Sequence, residues 1–223
     1  MHIGIDYSGR EAPESRTPAL QVYAAFDDDE PRLIRTTSST DKLRKNWCRK
    51  EIAAWLIEQA ESEVRFIAGI DHGFSFPIAY FNRYQLISWH AFLDDFTRYW
   101  PTDEDHTYVD FIRDAERRKP ARTGSSDEFR LTEKWTSSAK SVFRFDVQGS
   151  VAKSTHAGIP WLRRIRDAVG DRIHFWPFDG GEVPPGKSVI AEVYPSIFKS
   201  RYPREDRSAD QQDAYAGRLR HDG

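Results

Sequence analysis

Two short apolar segments of this sequence each end in an aspartate. Residues 3–5 (IGI) precede Asp6, and residues 64–70 (VRFIAGI) precede Asp71. The second segment is apolar at nearly every position, which is typical of a central strand buried on both faces of a sheet. Ligands of such sheets gather at the carboxyl ends of the strands. The two segments therefore predict two strands that each place a carboxylate at the edge of the sheet where ligands bind.

Other patterns in the sequence complete a mixed sheet. Residues 19–26 and 32–37 flank the turn-rich segment DDDEP and predict a hairpin. Cys48 and Ile52 begin an apolar pattern with helical spacing, and residues 39–41 (STD) offer this helix a cap. Further strands are predicted at residues 172–177 and 188–194, and further helices at residues 89–100, 108–112, 160–169 and 209–219.

This order of elements predicts a single α/β domain over residues 1–223. Three antiparallel strands open the sheet, parallel strands extend it, and helices cover both faces. The hydrophobic content of 39% and the aromatic content of 13% are sufficient for a core. Residues 84–156 are predicted to be an insertion of helices and loops. Within the insertion, residues 119–156 are rich in Ser, Thr, Lys and Arg and predict a loop that covers the site.

Cysteine usage and hydropathy limit the class of protein. Cys48 is the only cysteine, so the chain cannot build a disulfide framework or a cysteine-based zinc site within itself. On the apolar face of the first helix, it is expected to be a buried small residue rather than a nucleophile. No apolar run approaches the ~20 residues of a membrane span. Because residues 1–6 enter a strand at once, no signal peptide is expected, and we expect a cytoplasmic protein without a membrane partner.

Five carboxylates are candidates for a metal site. Asp6 and Asp71 end strands, Glu192 lies in the strand at residues 188–194, and Asp210 and Asp213 are three residues apart on the last helix. A carboxylate at the end of an apolar strand is costly unless a cation or a hydrogen-bond donor meets it. No lysine or arginine lies beside the five in sequence. Such a cluster suits Mg²⁺ or Mn²⁺.

The expected reaction follows from what two bound divalent ions would do. Two divalent ions about 4 Å apart activate a water molecule and stabilise the leaving oxygen in an in-line displacement at phosphorus. The carboxylates therefore predict phosphodiester hydrolysis.

Several short motifs carry a resemblance to a known family. They are GIDYSG at residues 4–9, GIDHGFSFP at 69–77, GIPWL at 158–162, HFWPF at 174–178, AEVYPS at 191–196 and DQQDAYA at 210–216. In this order the motifs resemble those of domain of unknown function 429, a family of predicted nucleases. That family is regarded as having the ribonuclease-H-like fold, which is also found in Holliday-junction resolvases.

The resemblance implies a metal site with defined roles. Asp6, Asp71, Glu192 and Asp213 would form the catalytic site, with Asp210 as a further metal ligand. Asp6 would bridge two ions, and Asp71 and Glu192 would each hold one ion or orient its water. Asp213, together with Asp210, would complete the second site. The expected enzyme is a Mg²⁺- or Mn²⁺-dependent nuclease with a ribonuclease-H-like mixed sheet.

A basic segment is the candidate contact for nucleic acid. Residues 113–170 contain 13 lysine and arginine residues against 7 aspartate and glutamate residues, although the whole chain has a formal net charge of -2. This excess fits a polyanion contact and equally fits a solvated surface. The predicted substrate-binding residues are Lys134, Lys140, Arg144 and Lys153. Trp135, Phe143 and Phe145 alternate with the basic residues and fit either base stacking or one edge of the core.

A phosphate-loop pattern is present but lacks its context. Residues 181–188 (GEVPPGKS) match G-x-x-x-x-G-K-[ST], which binds phosphate where a strand precedes the loop and a helix follows it. Here strand-forming residues follow, and Pro184 and Pro185 remove two N–H donors. A turn that enters a strand is predicted, without a nucleotide cofactor. The segment GIDYSG also resembles the first phosphate loop of the actin-like ATPases, but no second copy is found.

Other functions remain open in the sequence. A non-catalytic binding or regulatory module of the same fold and a phosphoesterase for small molecules are the alternatives to a nuclease. His72 and His156 each fit a proton-transfer or metal role, and each also fits a hydrogen-bonded structural role.

Overall fold

The computed structural model describes residues 1–27, 29–36, 46–62, 64–114, 122–136 and 139–218. These residues divide into two compact units. The sheet unit comprises residues 1–7, 14–72 and 165–223, and the helical unit comprises residues 8–13 and 73–164. The predicted insertion, residues 84–156, lies within the helical unit.

The sheet unit is built on a six-stranded mixed sheet flanked by helices. Its strand order is β3-β2-β1-β4-β6-β5. The strands are β1 (His2–Asp6), β2 (Gln21–Ala25), β3 (Arg32–Ile34), β4 (Ile67–Asp71), β5 (Ile173–Trp176) and β6 (Ser188–Glu192). The first three strands are antiparallel, whereas β1 pairs with β4, β4 with β6 and β6 with β5 in parallel. The predicted mixed sheet with three initial antiparallel strands is confirmed.

Both faces of the central strands are buried. Ile3, Ile5 and Ile70 point to one face and are at most 2% exposed. On the other face, Gly4 and Gly69 lie beneath the last helix, α7 (Ala209–Gly217). A Cβ on Gly69 would come within 2.1 Å of the carbonyl oxygen of Gly217, so the glycines let the helix backbone approach the strands directly. This burial explains why residues 64–70 are apolar at nearly every position.

The first helix begins later in the chain than the sequence patterns predict. Helix α1 (Arg49–Glu61) follows Cys48, which is its N-cap residue rather than part of its apolar face. Cys48 is nonetheless buried, at 4% exposed, as expected for a small apolar residue. The predicted cap at residues 39–41 lies outside the described residues.

The phosphate-loop pattern forms a turn that enters a strand, as predicted. Gly186 has a φ of 83°, a left-handed value that glycine adopts without strain. Ser188 then begins β6, and its hydroxyl accepts a hydrogen bond from the Phe66 amide at 3.3 Å. No helix starts after the loop, so the dipole and the free N–H groups of a helix N-terminus are missing there.

The helical unit contains an aromatic core. It is formed around α2 (Ile78–Arg83), α3 (Trp89–Tyr99), α4 (Val109–Asp114), α5 (Leu131–Trp135) and the larger part of α6 (Ala152–Val169). Phe76 lies at the centre, with the rings of Phe143, Tyr80 and His156 between 4.8 and 5.0 Å from its own ring. The predicted helices near residues 89–100 and 108–112 are confirmed.

Two sequence predictions for this unit are wrong. Helix α6 starts at Ala152, so the predicted loop of residues 119–156 ends earlier, and Pro160 lies inside the helix instead of opening it. Residues 152–159 are mostly buried, and this tertiary burial outweighs the local loop-forming tendency of Ser and Thr. Phe143 is 6% exposed and belongs to the core, and Phe145 is half-buried and stacks on Trp100, whereas Trp135 is 76% exposed.

Within the described part of the chain, no helix is both long enough and apolar enough to cross a membrane.

Candidate metal centre

Asp6 and Asp71 occupy the same position on neighbouring parallel strands. The register of β1 and β4 pairs Gly4 with Gly69 and Asp6 with Asp71. Side chains alternate along a strand, so both aspartates point to the face that carries the two glycines and helix α7. The sequence Gly-Ile-Asp thus occurs in both strands. Its glycines allow helix α7 to pack closely on the sheet, and its aspartates place two carboxylates side by side.

Helix α7 supplies the third carboxylate. Asp6, Asp71 and Asp213 each offer one oxygen, and these three atoms all lie within 4.8 Å of one another. Ser208 is the N-cap residue of this helix. Its hydroxyl accepts from the Gln211 amide at 3.1 Å, while the Gln211 side chain accepts from the Ser208 amide. This reciprocal cap fixes the first turn of the helix that carries Asp213.

The site holds an excess of negative charge. Burial, followed by the charges of Asp71, Asp210 and Asp213, raises the pKa of Asp6 to about 9. Burial, followed by the charges of Asp213 and Glu192, raises the pKa of Asp71 to about 7. At neutral pH, Asp6 therefore holds a proton and Asp71 is about half protonated, unless a cation replaces the protons. The electrostatics of the site therefore favour a bound cation.

Lys199 is the residue of the site that the sequence pattern did not indicate. Its ammonium contacts both carboxylate oxygens of Asp213, at 2.9 and 3.1 Å, and its charge lowers the pKa of Asp71. The side-chain amide of Gln212 donates to the backbone carbonyls of Lys199 and Tyr202, at 3.1 and 3.0 Å. These bonds tie the short 3-10 segment Lys199–Arg201 to α7.

Lys199 corrects one step of the sequence argument. The five candidate carboxylates have no lysine or arginine beside them in sequence, but the fold brings a lysine 14 residues away into contact with Asp213. The contact joins the middle of α7 to the short 3-10 segment Lys199–Arg201, and a segment of three residues has no periodic pattern from which the contact could be predicted.

Two further predicted ligands lie outside the group of three. Glu192 ends β6 and pairs with Ile70, not with Asp71. Val193 meets Gly69 on the helix face, so alternation turns Glu192 toward the opposite face. Asp210 lies one turn before Asp213 and raises the pKa of Asp6. Both residues therefore add charge to the site, and neither contributes an oxygen to the group within 4.8 Å.

The four predicted substrate-binding residues all belong to the helical unit. Lys134 and Arg144 are exposed. Lys140 donates to the carbonyl of Gln148, and Lys153 forms an ion pair with Asp110 at 2.6 Å. Lys134 and Arg144 thus present charge to solvent, while Lys140 and Lys153 also hold local structure.

The two histidines singled out in the sequence are buried. His72 is 2% exposed, and its ring lies 4.6 Å from that of Tyr7. His156 lies within α6, and its Nδ1 is 2.8 Å from the carbonyl of Ala152. Since a carbonyl only accepts, Nδ1 carries the proton. Burial lowers the pKa of His156 to about 3, so the ring is neutral and structural in character.

Comparison of the chain with protein-family models, with curated proteins and with solved structures gave no match.

Proposed function

We propose that this protein is a metal-dependent phosphodiesterase that cleaves nucleic acid and has a ribonuclease-H-like architecture. The observation that carries the proposal is the convergence of Asp6, Asp71 and Asp213, from two adjacent strand ends and one helix, within 4.8 Å. The mixed sheet with three antiparallel strands followed by parallel strands is consistent with that architecture. The resemblance of its short motifs to those of domain of unknown function 429 supports the proposal that the chain belongs to that family.

The donor set fits Mg²⁺ or Mn²⁺. All three nearby ligands are carboxylate oxygens, the type that hard divalent ions prefer, and the set contains no sulfur or nitrogen donor. Burial first, and the neighbouring negative charges second, raise the pKa values of Asp6 and Asp71, and both effects favour a cation at the site. One oxygen from each aspartate is available to bind one ion. Asp210, which lies one turn before Asp213 on the same helix, is the candidate for an additional ligand, whereas Glu192 adds negative charge.

The roles of the residues follow from their positions. A bound divalent ion supplies an activated water and neutralises charge on a phosphate. Asp6 and Asp71 are fixed by strand register, so they provide a rigid base for the site. Asp213 approaches from the helix, and its carboxylate closes the group. Without a bound ion, the negative charges of the three aspartates would repel an incoming phosphodiester. A bound divalent ion would neutralise these charges.

The helical unit is proposed to hold the polyanionic substrate. Lys134 and Arg144 are exposed and carry charge that a phosphate backbone would attract, and Lys140 and Lys153 add to it. Charge reversal of Lys134 and Arg144 is expected to weaken cleavage of a long oligonucleotide. Activity that is insensitive to this change would favour a small phosphorylated molecule as the substrate.

The test is cleavage of a labelled panel in Mg²⁺ or Mn²⁺. It comprises single- and double-stranded DNA, RNA, an RNA–DNA hybrid and a four-way junction. We expect wild type to cut at least one member, Asp6→Asn to cut none, and the exposed control Asp171→Asn to cut as wild type does. Mn²⁺ should also raise the melting temperature of wild type and of the control, but not that of Asp6→Asn.

A different result would assign a different function. A folded wild type that neither cleaves any member nor gains stability from Mn²⁺ would contradict the enzyme and favour a non-catalytic binding module.

A further inference from the structure

Lys199 places a positively charged ammonium against one of the carboxylates of the candidate metal centre. Its ammonium lies 2.9 and 3.1 Å from the two carboxylate oxygens of Asp213. The lysine side chain is 38% exposed and that of Asp213 is 19% exposed, so the lysine keeps contact with solvent while the carboxylate is mostly covered.

The position of Lys199 is held by the fold. The carbonyl oxygen of Lys199 accepts from the Gln212 side chain, and Gln212 is 5% exposed and adjacent to Asp213. A lysine on a freely moving loop would lose this contact through side-chain entropy. Here the backbone of the lysine is tied to the helix that carries its partner, which lowers the entropy cost of the ion pair.

The ion pair of Lys199 favours one divalent ion together with the ammonium. Asp213 is one of the three carboxylates of the group, and both of its oxygens contact the Lys199 ammonium. A second ion at Asp213 would have to share its oxygens with the ammonium, which repels it.

We infer that Lys199 is a catalytic residue whose ammonium takes the place of a second metal ion. This inference rests on the proposed function. In hydrolysis, a water oxygen forms a bond to phosphorus and the bond from phosphorus to one ester oxygen breaks. The attacking water loses a proton to solvent and the leaving oxygen gains one from solvent. The ammonium of Lys199 neutralises charge on the phosphate oxygens in the transition state.

The experiment compares wild type, Lys199→Met, Lys199→Arg and the control Lys187→Met. Isothermal titration with Mn²⁺ alone gives the number of ions bound, and cleavage of bis(4-nitrophenyl) phosphate and of the oligonucleotide panel gives activity. We expect wild type to bind one ion per chain. Lys199→Met should bind Mn²⁺ at least as tightly, because a competing positive charge is gone, yet lose cleavage by about 100-fold.

The remaining variants separate charge from structure. Lys199→Arg should recover part of the activity, since it restores a positive charge at the same place. Lys187→Met, which removes a lysine from the loop before β6, should behave as wild type. Circular dichroism and melting temperature establish that each variant is folded.

Two kinds of outcome would overturn the inference. Two ions bound per wild-type chain, or cleavage by folded Lys199→Met within about 3-fold of wild type, would overturn the role of Lys199 and leave the proposed function intact. The absence of cleavage and of Mn²⁺ binding in wild type would overturn the proposed function and this inference with it.

Discussion

Gly4 in β1 lies so close to Ala214 in α7 that a methyl group on the glycine would come within 1.9 Å of the alanine carbonyl oxygen. Asp6 is two residues beyond Gly4 on the same face, and Asp213 immediately precedes Ala214. The contact between strand and helix therefore sets the distance between two of the three carboxylates. A residue without a side chain determines the geometry of the acidic site.

Substitution of Gly4 by alanine is expected to destabilise the protein and disturb the site. The atoms that meet the new methyl group belong to the helix backbone, which cannot move aside as a flexible side chain would. Overpacking of this kind costs about 1–3 kcal/mol and occasionally more. Urea denaturation should show the loss, and the stabilisation by Mn²⁺ should fall as Asp213 moves away. Gly181→Ala is the control, because no atom lies within 4 Å of its Cβ position and its φ is ordinary.

The strands of the site could be predicted from the sequence, because their signals are local. An apolar run followed by aspartate marks the carboxyl end of a buried strand, and this correctly placed Asp6 and Asp71. Which of the five carboxylates lie within reach of one ion could not be predicted from local patterns, since this depends on strand register and on the position of helix α7. Glu192 ends a strand as Asp71 does, yet its register partner is Ile70.

The carboxylates are expected to differ in their importance for metal binding. Asp71→Asn should abolish Mn²⁺ binding in isothermal titration, because Asp71 is one of the three residues within 4.8 Å. Glu192→Gln and Asp210→Asn should weaken binding by a smaller factor, since they act through charge at longer range. Equal losses in all three variants would contradict this order and would indicate that Glu192 and Asp210 also coordinate the ion.

The stability of the metal-free protein should fall as the pH rises. The pKa of Asp6 is raised to about 9 and that of Asp71 to about 7, so the folded state holds protons that the unfolded state releases. The resulting stability is fully present below the ordinary pKa of 3.8 and is lost as the pH rises through the folded values. The expected slope is up to about 1.4 kcal/mol per pH unit for each group.

The measurement is the free energy of unfolding in EDTA between the folded pKa values, about 7 and about 9. In this range Asp6→Asn should show a shallower decline than wild type, because asparagine does not titrate. Added Mn²⁺ should stabilise wild type more at the upper end, since the ion no longer competes with protons. A wild-type stability that rises with pH in EDTA would contradict the assignment.

The helical unit shows where local sequence signals fail. The content of Ser, Thr, Lys and Arg in residues 119–156 predicted a loop, and Pro160 predicted a helix start, yet α6 runs continuously from Ala152 to Val169. Proline removes one helical hydrogen bond, a cost that burial of the surrounding side chains can offset. His156, Ala157 and Ile159 are at most 1% exposed. Their burial depends on aromatic residues distant in sequence, which no short window contains.

Phe143 and Trp135 should respond differently to truncation. Phe143 is 6% exposed, and its ring lies 4.8 Å from that of Phe76, so Phe143→Ala should lower the free energy of unfolding by about 3–5 kcal/mol. Trp135 is 76% exposed, and Trp135→Ala should change stability by no more than about 0.5 kcal/mol. If the helical unit holds single-stranded nucleic acid, the same variant should weaken oligonucleotide binding by about 1–3 kcal/mol.

The buried His156 gives a second pH effect, with the opposite sign. Burial lowers its pKa from 6.5 to about 3, so the unfolded state binds a proton that the folded state excludes. Its contribution to stability is complete above pH 6.5 and is lost as the pH falls toward the folded value. His156→Phe keeps an aromatic ring beside Phe76 and Phe145 but does not titrate. The difference in unfolding free energy, wild type minus variant, should therefore rise by about 1.4 kcal/mol per pH unit in this interval. A constant difference across the interval would show that His156 is charged in the folded protein.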